Sequence, residues 1–370
     1  MDKSCIAYLM KQADDIVSYI CEHSFAPAGM NGPYDNNDTE LRNSAHWLIV
    51  FLYLKKQFNQ NKYDIAITKL LTYLQDEANY GSNGAPLCRK DDNIDNVNGL
   101  IGPAWIAEAF IYVYKITGEK KYIKKAQDIL CSTVFNPQEK MWEIVDTNGK
   151  NWGIDRTLNH QVWYAAICME LLHNGKGVLQ GSERLEDEIR QFLDRLPHML
   201  RIYPNGVFMH IALTISNIKY VLKYFIKALA RFISGKIENN SKWDEFYQLE
   251  EGYLSFDVYG FAIIKQYAPE LALFNSKKFV LATKLCQEKK FISKLIRRKN
   301  KYSFPYNSPL YEYGFIRNVF KNASIDTIGF DELYNYQKAA LGNQEKYDKN
   351  TLNARCYEMV RFLESEDNDI

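Results

Sequence analysis

The 370-residue chain has no long hydrophobic run. No stretch approaches the roughly 20 apolar residues that a membrane span needs. The start, Met1-Asp-Lys-Ser-Cys-Ile-Ala-Tyr8, lacks a basic segment followed by an apolar one, so neither secretion nor insertion is expected and the expected location is cytoplasmic. The seven cysteines (Cys5, Cys21, Cys88, Cys131, Cys168, Cys286, Cys356) are odd in number and show no C-x-x-C spacing. Most lie in apolar helical runs, which predicts reduced, buried thiols rather than a disulfide framework. Neither sign of charge dominates: 46 Lys and Arg stand against 45 Asp and Glu, a net +1, which supplies no long-range field for nucleic acid. No Pro/Gly/Ser-rich linker or low-complexity stretch marks a boundary, so residues 1–370 are expected to form one domain. The G-x-G-x-x-G, G-x-S-x-G and Walker patterns are missing too, and no cofactor is expected.

What is present is a core-forming composition with a repeat. Apolar residues make up 46% of the chain, with 26 Tyr and 20 Phe. Tyr and Trp combine a flat apolar face with a polar tip that suits sugar rings, although most such residues must pack the core. Three times in the N-terminal half a polar Asn/Asp/Gly-rich loop runs into an apolar helix with Trp, His or a carboxylate in its first turns. The copies are Glu40-Leu-Arg-Asn-Ser-Ala-His46-Trp47, Asp95-Asn-Val-Asn98-Gly-Leu-Ile-Gly-Pro-Ala-Trp105-Ile-Ala-Glu108 and Asp155-Arg156-Thr-Leu-Asn159-His160-Gln161-Val-Trp163. Such self-similarity predicts an array of helical hairpins with one working end. Arg42 and Arg156 each precede a histidine, His46 and His160, by four residues. That spacing sets guanidinium and imidazole about one turn apart on one side of a helix.

Apolar spacing at i, i+3, i+4 and i+7 predicts helices over 5–25, 43–57, 62–77, 101–117, 120–134, 159–173 and 182–200. In the C-terminal half the spans 215–234, 256–267, 271–289, 309–320 and 352–364 read the same way. After the first helix these pair off across short turns, and the second helices begin alike, with Lys62-Tyr63 and Lys121-Tyr122 each soon followed by Ala. The connections 79–99 and 135–158 are longer than ordinary loops, which points to function. Within the second, 140–152 predicts a small β-hairpin turning on Asn148-Gly149. Roughly six pairs are expected, enough to close a ring: an all-α (α/α)6 toroid with a short β-hairpin in a long loop, its funnel at the long-loop end.

The alternating helices, the Lys-Tyr starts, and the runs Asn98-Gly-Leu-Ile-Gly-Pro-Ala-Trp105-Ile-Ala-Glu108 and Asn159-His160-Gln-Val-Trp163-Tyr-Ala-Ala resemble the six-hairpin glycosidase-type (α/α)6 toroids. That superfamily includes unsaturated glucuronyl and rhamnogalacturonyl hydrolases, N-acylglucosamine and cellobiose 2-epimerases, and proteins encoded in polysaccharide gene clusters, to which the chain looks nearest. The motifs span about residues 40 to 175. The resemblance implies a carbohydrate substrate. It matches Asp155 to the acid/base aspartate of the glucuronyl hydrolases, and His46 and His160 to the paired histidines of the epimerases.

The residues themselves carry alternatives. Asp155 precedes a helix start, where a carboxylate serves either as acid/base or as a cap and loop ion pair. His160 and His46 read as proton-transfer groups, as holders of a sugar hydroxyl, or as buried hydrogen-bonding histidines. Trp47, Trp105 and Trp163 read as sugar-stacking platforms or as core. Asp95, Asn98, Arg156, Asn159, Tyr311 and Glu312 occupy comparable loop-to-helix positions and are the remaining substrate-binding candidates. Glu108, on an apolar stretch, needs a partner and reads foremost as an ion pair.

Sharper motifs fail. Asp91-Asp92-Asn-Ile-Asp95 matches D-D-x-x-D but lies in a loop, with no second metal motif. As a calcium loop it puts Ile94 at the first ligand position and Trp105 at the closing one. Zinc ligation of the lanthionine-cyclase type needs an adjacent Cys-His pair, which is missing. No metal site is expected. Lys219, Lys223, Lys227 and Arg231 recur every four residues, either a solvated stripe or a weak contact with a membrane surface or anionic glycan.

The expected function is a carbohydrate-active enzyme of a polysaccharide pathway. A glycoside hydrolase acting on an oligo- or polysaccharide is foremost, with a sugar epimerase or lyase using His46 and His160 as the alternative. A non-catalytic glycan-binding protein is a third reading. Two carboxylates across the funnel favour hydrolysis, and two histidines favour proton abstraction at a sugar carbon.

Overall fold

The computed structural model describes residues 3–34, 36–91, 93–223, 225–226, 242–322, 326–342 and 348–367. Fourteen helices occur among them: α1 Lys3–His23, α2 Glu40–Phe58, α3 Asp64–Leu74, α4 Ile101–Thr117, α5 Lys120–Leu130, α6 Leu158–Asn174, α7 Glu183–Met199, α8 Lys242–Tyr267, α9 Lys277–Leu285, α10 Lys289–Arg297, α11 Pro309–Phe320, α12 Phe330–Leu341, α13 Lys349–Ala354 and α14 Glu358–Asp367.

Two kinds of helix alternate, and the sequence dictates which is which. In α2 every residue from Leu41 to Leu54 is buried, and in α4 every residue from Ile101 to Val113. A helix apolar on all sides has to be surrounded by protein. By contrast α5 buries only the stripe Tyr122, Ile123, Ala126, Ile129 and Leu130, and α7 only Leu185, Ile189, Phe192, Leu196 and Met199. Such one-sided helices form an outer layer.

Packing follows this division. The inner helices contact one another in the order α2, α4, α6, α8, α11, α14, and the ring closes where the 3-10 turn Arg355–Tyr357 and α14 return against α2. Outside, α3 packs on α2, α5 on α4, α7 on α6, α9 on α8 and α12 on α11, while α1 packs on α2 and α3 and reaches α12. The result is the all-α toroid of six inner and six outer positions. Left-handed residues end α2 and α4, at Asn59 (φ 52°) and Gly118 (φ 72°), and let the chain reverse within a few residues.

The hairpin expected at Asn148-Gly149 is present as β4 Met141–Val145 and β5 Asn151–Ile154, and a further strand, Val134–Asn136 (β3), pairs with β4. A two-stranded ribbon, β1 Met30–Asn31 and β2 Asn36–Asn37, lies before α2.

Elsewhere the spans differ from expectation. The predicted helix 271–289 is divided into a 3-10 turn Ala272–Asn275 and α9, because Ser276 caps a new start by accepting from the Phe279 amide. Inner helix α8 begins fourteen residues before the expected Phe256, and Phe246, Leu249 and Tyr253, at i, i+3 and i+7 ahead of it, carry the helical period that extends it. Helices α10 and α12 were not expected. Of the predicted helix 215–234, residues 218–223 and 225–226 are helical. Lys227 and Arg231 of the basic stripe lie outside the described residues, as does Asp92 of the acidic loop.

Candidate functional site

At the end of the ring where the inner helices begin, a cleft of ≈ 200 Å³ opens. Each inner position contributes: Arg42 from α2, Ile101 and Trp105 from α4, Asn159 and His160 from α6, Tyr253 and Phe256 from α8, Tyr306 and Asn307 ahead of α11, and Thr351 and Arg355 from the closing segment. Tyr34 and Asn36 from the β1–β2 ribbon, Arg89 from the loop before α4, and His210 complete the wall. No Asp or Glu is among these lining residues.

His160 is the third residue of α6 and its Nδ1 lies 2.7 Å from Asp155 Oδ2. Asp155 itself is 4% exposed and stands behind the ring rather than in the cleft lining. Its position is fixed locally: Oδ1 accepts from the Thr157 amide and Oδ2 from the Leu100 amide, both at 3.0 Å. The buried Gln161 ties this loop to β4, donating to the carbonyls of Asp155 and Trp142. Burial pushes the Asp155 pKa up, but His160 and the two amides outweigh it and hold the carboxyl below its ordinary value. Asp155 is therefore a carboxylate that fixes the His160 ring through Nδ1 and leaves Nε2 for the cleft. Gly99 makes room for the pair: at φ 58° it needs no side chain, and a Cβ there would stand 2.5 Å from Asp155 Oδ2 and 2.6 Å from His160 Nδ1.

The second histidine of the cleft is His210, not His46. Its backbone lies beside the start of α6, with the Leu158 amide donating to the His210 carbonyl and Thr157 bridging Ile211. Its ring packs on Tyr253, with centroids 4.9 Å apart. Burial, then the neighbouring His160, lower the His210 pKa to about 3, so the ring is neutral at ordinary pH. His46 is 1% exposed beneath the cleft, stacked on Tyr357 at 3.9 Å, and burial with Arg42 and Arg355 keeps it neutral as well.

This exchange has a register cause. Arg42 and His160 are both the third residue of their helices, so the two Arg-x-x-x-His units stand four residues out of step. The first delivers its arginine to the cleft and buries its histidine. The second delivers its histidine, while Arg156 points outward and donates to Ser216 Oγ at 3.2 Å.

The cationic wall is braced from behind. Arg42 pairs with Asp38 at 2.8 Å and lies over Trp105 at 4.4 Å. Arg89 is held by Asp95 and Asn98, which therefore position an arginine instead of lining the cleft themselves. Arg355 is gripped by Glu312 at 2.7 Å and Glu358 at 2.9 Å and donates to Asn307. Asp257, fully buried one turn beyond Tyr253, has its pKa pushed well above the ordinary carboxylate value by burial.

Of the residues singled out in the sequence, Arg42, Trp105, Asn159 and His160 line the cleft. Trp47 and Trp163, also on inner helices, are 2% and 0% exposed and belong to the core, as do Tyr311 and Glu312. Sequence reading missed His210, Arg89 and Arg355 as cleft residues. Only His210 carried a signal: a histidine just ahead of an Asn/Ser-containing turn.

Fold and site thus define an (α/α)6 toroid with a histidine- and arginine-lined cleft at its loop end. No family model matches the chain. It is similar to archaeal glycosylation protein Q of Haloferax volcanii, 28% identical over 348 residues that cover 91% of each chain. Among solved structures it is similar to a GH76 α-mannanase of Bacteroides thetaiotaomicron (TM-score 0.48, 11% identity, 98% of this chain and 97% of that one). It is also similar to a sugar epimerase from a ruminal bacterium (TM-score 0.48, 8% identity, 96% and 98%).

Proposed function

We propose that the chain is a carbohydrate-active enzyme that moves a proton at a sugar carbon, as an epimerase or lyase does, with His160 as its base and the neutral His210 as its hydrogen-bond donor. The observation that carries this reading is the pair of histidines on one cleft among whose described lining residues there is no carboxylate. A two-carboxylate hydrolase needs an acid and a base or nucleophile facing the glycosidic bond. A proton transfer at carbon needs one neutral base and one group able to give a proton.

His160, its Nδ1 held by Asp155, takes the proton at Nε2 from the carbon next to a carbonyl, and the C–H electron pair moves onto the carbonyl oxygen as an enolate. The neutral His210 ring donates a hydrogen bond to the developing enolate oxygen, and Asp155 balances the charge that His160 gains until the proton is returned. Return to the other face of the carbon inverts the centre, whereas loss of a leaving group from the next carbon gives elimination. Arg42 and Arg89, both in the cleft lining, supply positive charge for the developing oxyanion. Trp105, Tyr253 and Phe256 supply ring faces. The name of the Haloferax relative supports a substrate that is an oligosaccharide, or a sugar, of a glycosylation pathway.

The test is incubation in heavy water with a panel of hexoses, N-acetylated hexosamines, hexuronates and oligosaccharides, followed by NMR. Solvent deuterium at a ring carbon is expected. A new reducing end with no carbon-bound deuterium would establish hydrolysis in its place.

A further inference from the structure

Half of the strongly exposed large apolar side chains among the described residues fall in one span of twelve: Ile215, Ile218, Tyr220, Leu222 and Ile226. This segment lies between α7 and α8 and is additional to the six inner and six outer positions of the ring. At about 100° per residue Ile218, Val221, Leu222, Phe225 and Ile226 form one continuous arc, only part of which meets protein, while Tyr220 lies on the other side. Val221 is fully buried, and Phe225 stacks on Tyr203 with centroids 5.3 Å apart. Ile218, Leu222 and Ile226 continue the arc outward, Ile215 is exposed in the turn just ahead of it, and the exposed Lys219 and Lys223 border it.

The surrounding sequence is charge-segregated. From residue 195 to 237 there are seven basic residues and no acidic one, in a chain whose net charge is only +1. An apolar arc edged by lysines inside an acid-free stretch is complementary to one surface in particular, an anionic lipid bilayer: the side chains enter the acyl boundary while the ammonium groups meet lipid phosphates. No described helix is long and apolar enough to cross a membrane, so the contact lies in the interface. The segment also adjoins the cleft. Ile211 bridges Thr157, Arg156 donates to Ser216, and His210 precedes Ile215 by five residues.

We infer that the 215–226 segment docks the protein on an anionic membrane surface, setting the cleft wall next to the bilayer, where a lipid-carried glycan would be presented. The docking does not depend on which reaction the cleft performs, so its test is independent of turnover.

The test is flotation of the full chain with phosphatidylcholine vesicles, with and without phosphatidylglycerol. The wild type is expected to float only with the anionic vesicles and to be released at 1 M salt, where the screening length falls to about 3 Å. Lys219→Glu with Lys223→Glu should weaken binding by at least about tenfold, since each basic group near the surface contributes roughly that order. Ile218→Asp with Leu222→Asp should do the same, with melting temperature unchanged in both variants. Failure of the wild type to float, or wild-type flotation by the charge-reversed variant, overturns the inference. So does a wild-type dimer, seen by light scattering, that the aspartate variant abolishes, because a second copy would then cover the arc.

Discussion

Arg361 and Glu108, 253 residues apart in the chain, meet inside the ring with Arg361 Nη2 at 2.6 Å from Glu108 Oε1. The same guanidinium donates to Glu170 at 2.5 Å, so three inner helices, α4, α6 and α14, share one buried cation. Burial pushes the Glu108 pKa up to about 7 against the pull of Arg361, whereas Glu170 ends below its ordinary value.

Removing that cation strands two buried carboxyls. Arg361→Leu is expected to cost roughly 3–5 kcal/mol, the usual scale for breaking a buried pair from one side. Converting all three residues to apolar ones of similar size should restore most of the loss. Urea midpoints of the single and triple variants measure both, and a single variant as stable as wild type would show that the network contributes little.

In the cleft, His160→Gln is expected to slow turnover at least ~100-fold, the lower scale of acid/base catalysis, while the melting temperature stays near wild type. Asp155→Asn should lose activity with it, because the amide no longer takes the Nδ1 hydrogen in the same tautomer. Deuterium incorporation is the readout, and undiminished exchange in His160→Gln would remove that residue from the mechanism.

Gly99→Ala offers a finer probe. Its methyl would press on both members of the Asp155–His160 pair, and the positive φ adds strain. Turnover should fall by about tenfold or more, since small displacements of positioned groups are costly. Chemical shifts of the His160 ring, followed by NMR, should move in step.

The pH response of stability has a definite sign at His210. Its folded pKa of about 3 lies below the ordinary 6.5, so between those values the unfolded chain binds a proton that the folded one refuses. Stability from this group is complete above pH 6.5 and declines as pH falls toward 3. Melting curves across that window should show a shallower decline for His210→Gln than for wild type, and parallel curves would mean that the ring is already protonated when folded.

The layered ring was legible because the distinction between inner and outer helices is compositional: thirteen consecutive buried residues from Ile101 to Val113 cannot be mistaken for a stripe. The Asp155–His160 pair was legible too, as polar residues at a loop-to-helix junction, although which of them faces the cleft was not. His210 escaped because it sits in an irregular stretch with no period to place it, next to α6 in space but fifty residues on in sequence. Arg89 and Arg355 escaped because their carboxylate braces and their cleft exposure are tertiary facts. The repeated Arg-x-x-x-His spacing misled in an instructive way, since identical spacing on helices entered four residues apart brings different members to the same surface.

The ring closes through Arg355 and Arg361, and that fixes an order of events at the ribosome. Glu108, Glu170 and Glu312 emerge first and wait for counter-charges encoded after residue 350. Until those arrive, the nascent toroid is an open arc with carboxyls it cannot yet bury and a cleft missing one side. The chain thus cannot acquire a working site in its early, partly synthesised forms, and a polypeptide cut short before Arg355 should be marked for degradation instead of persisting as a partly active protein.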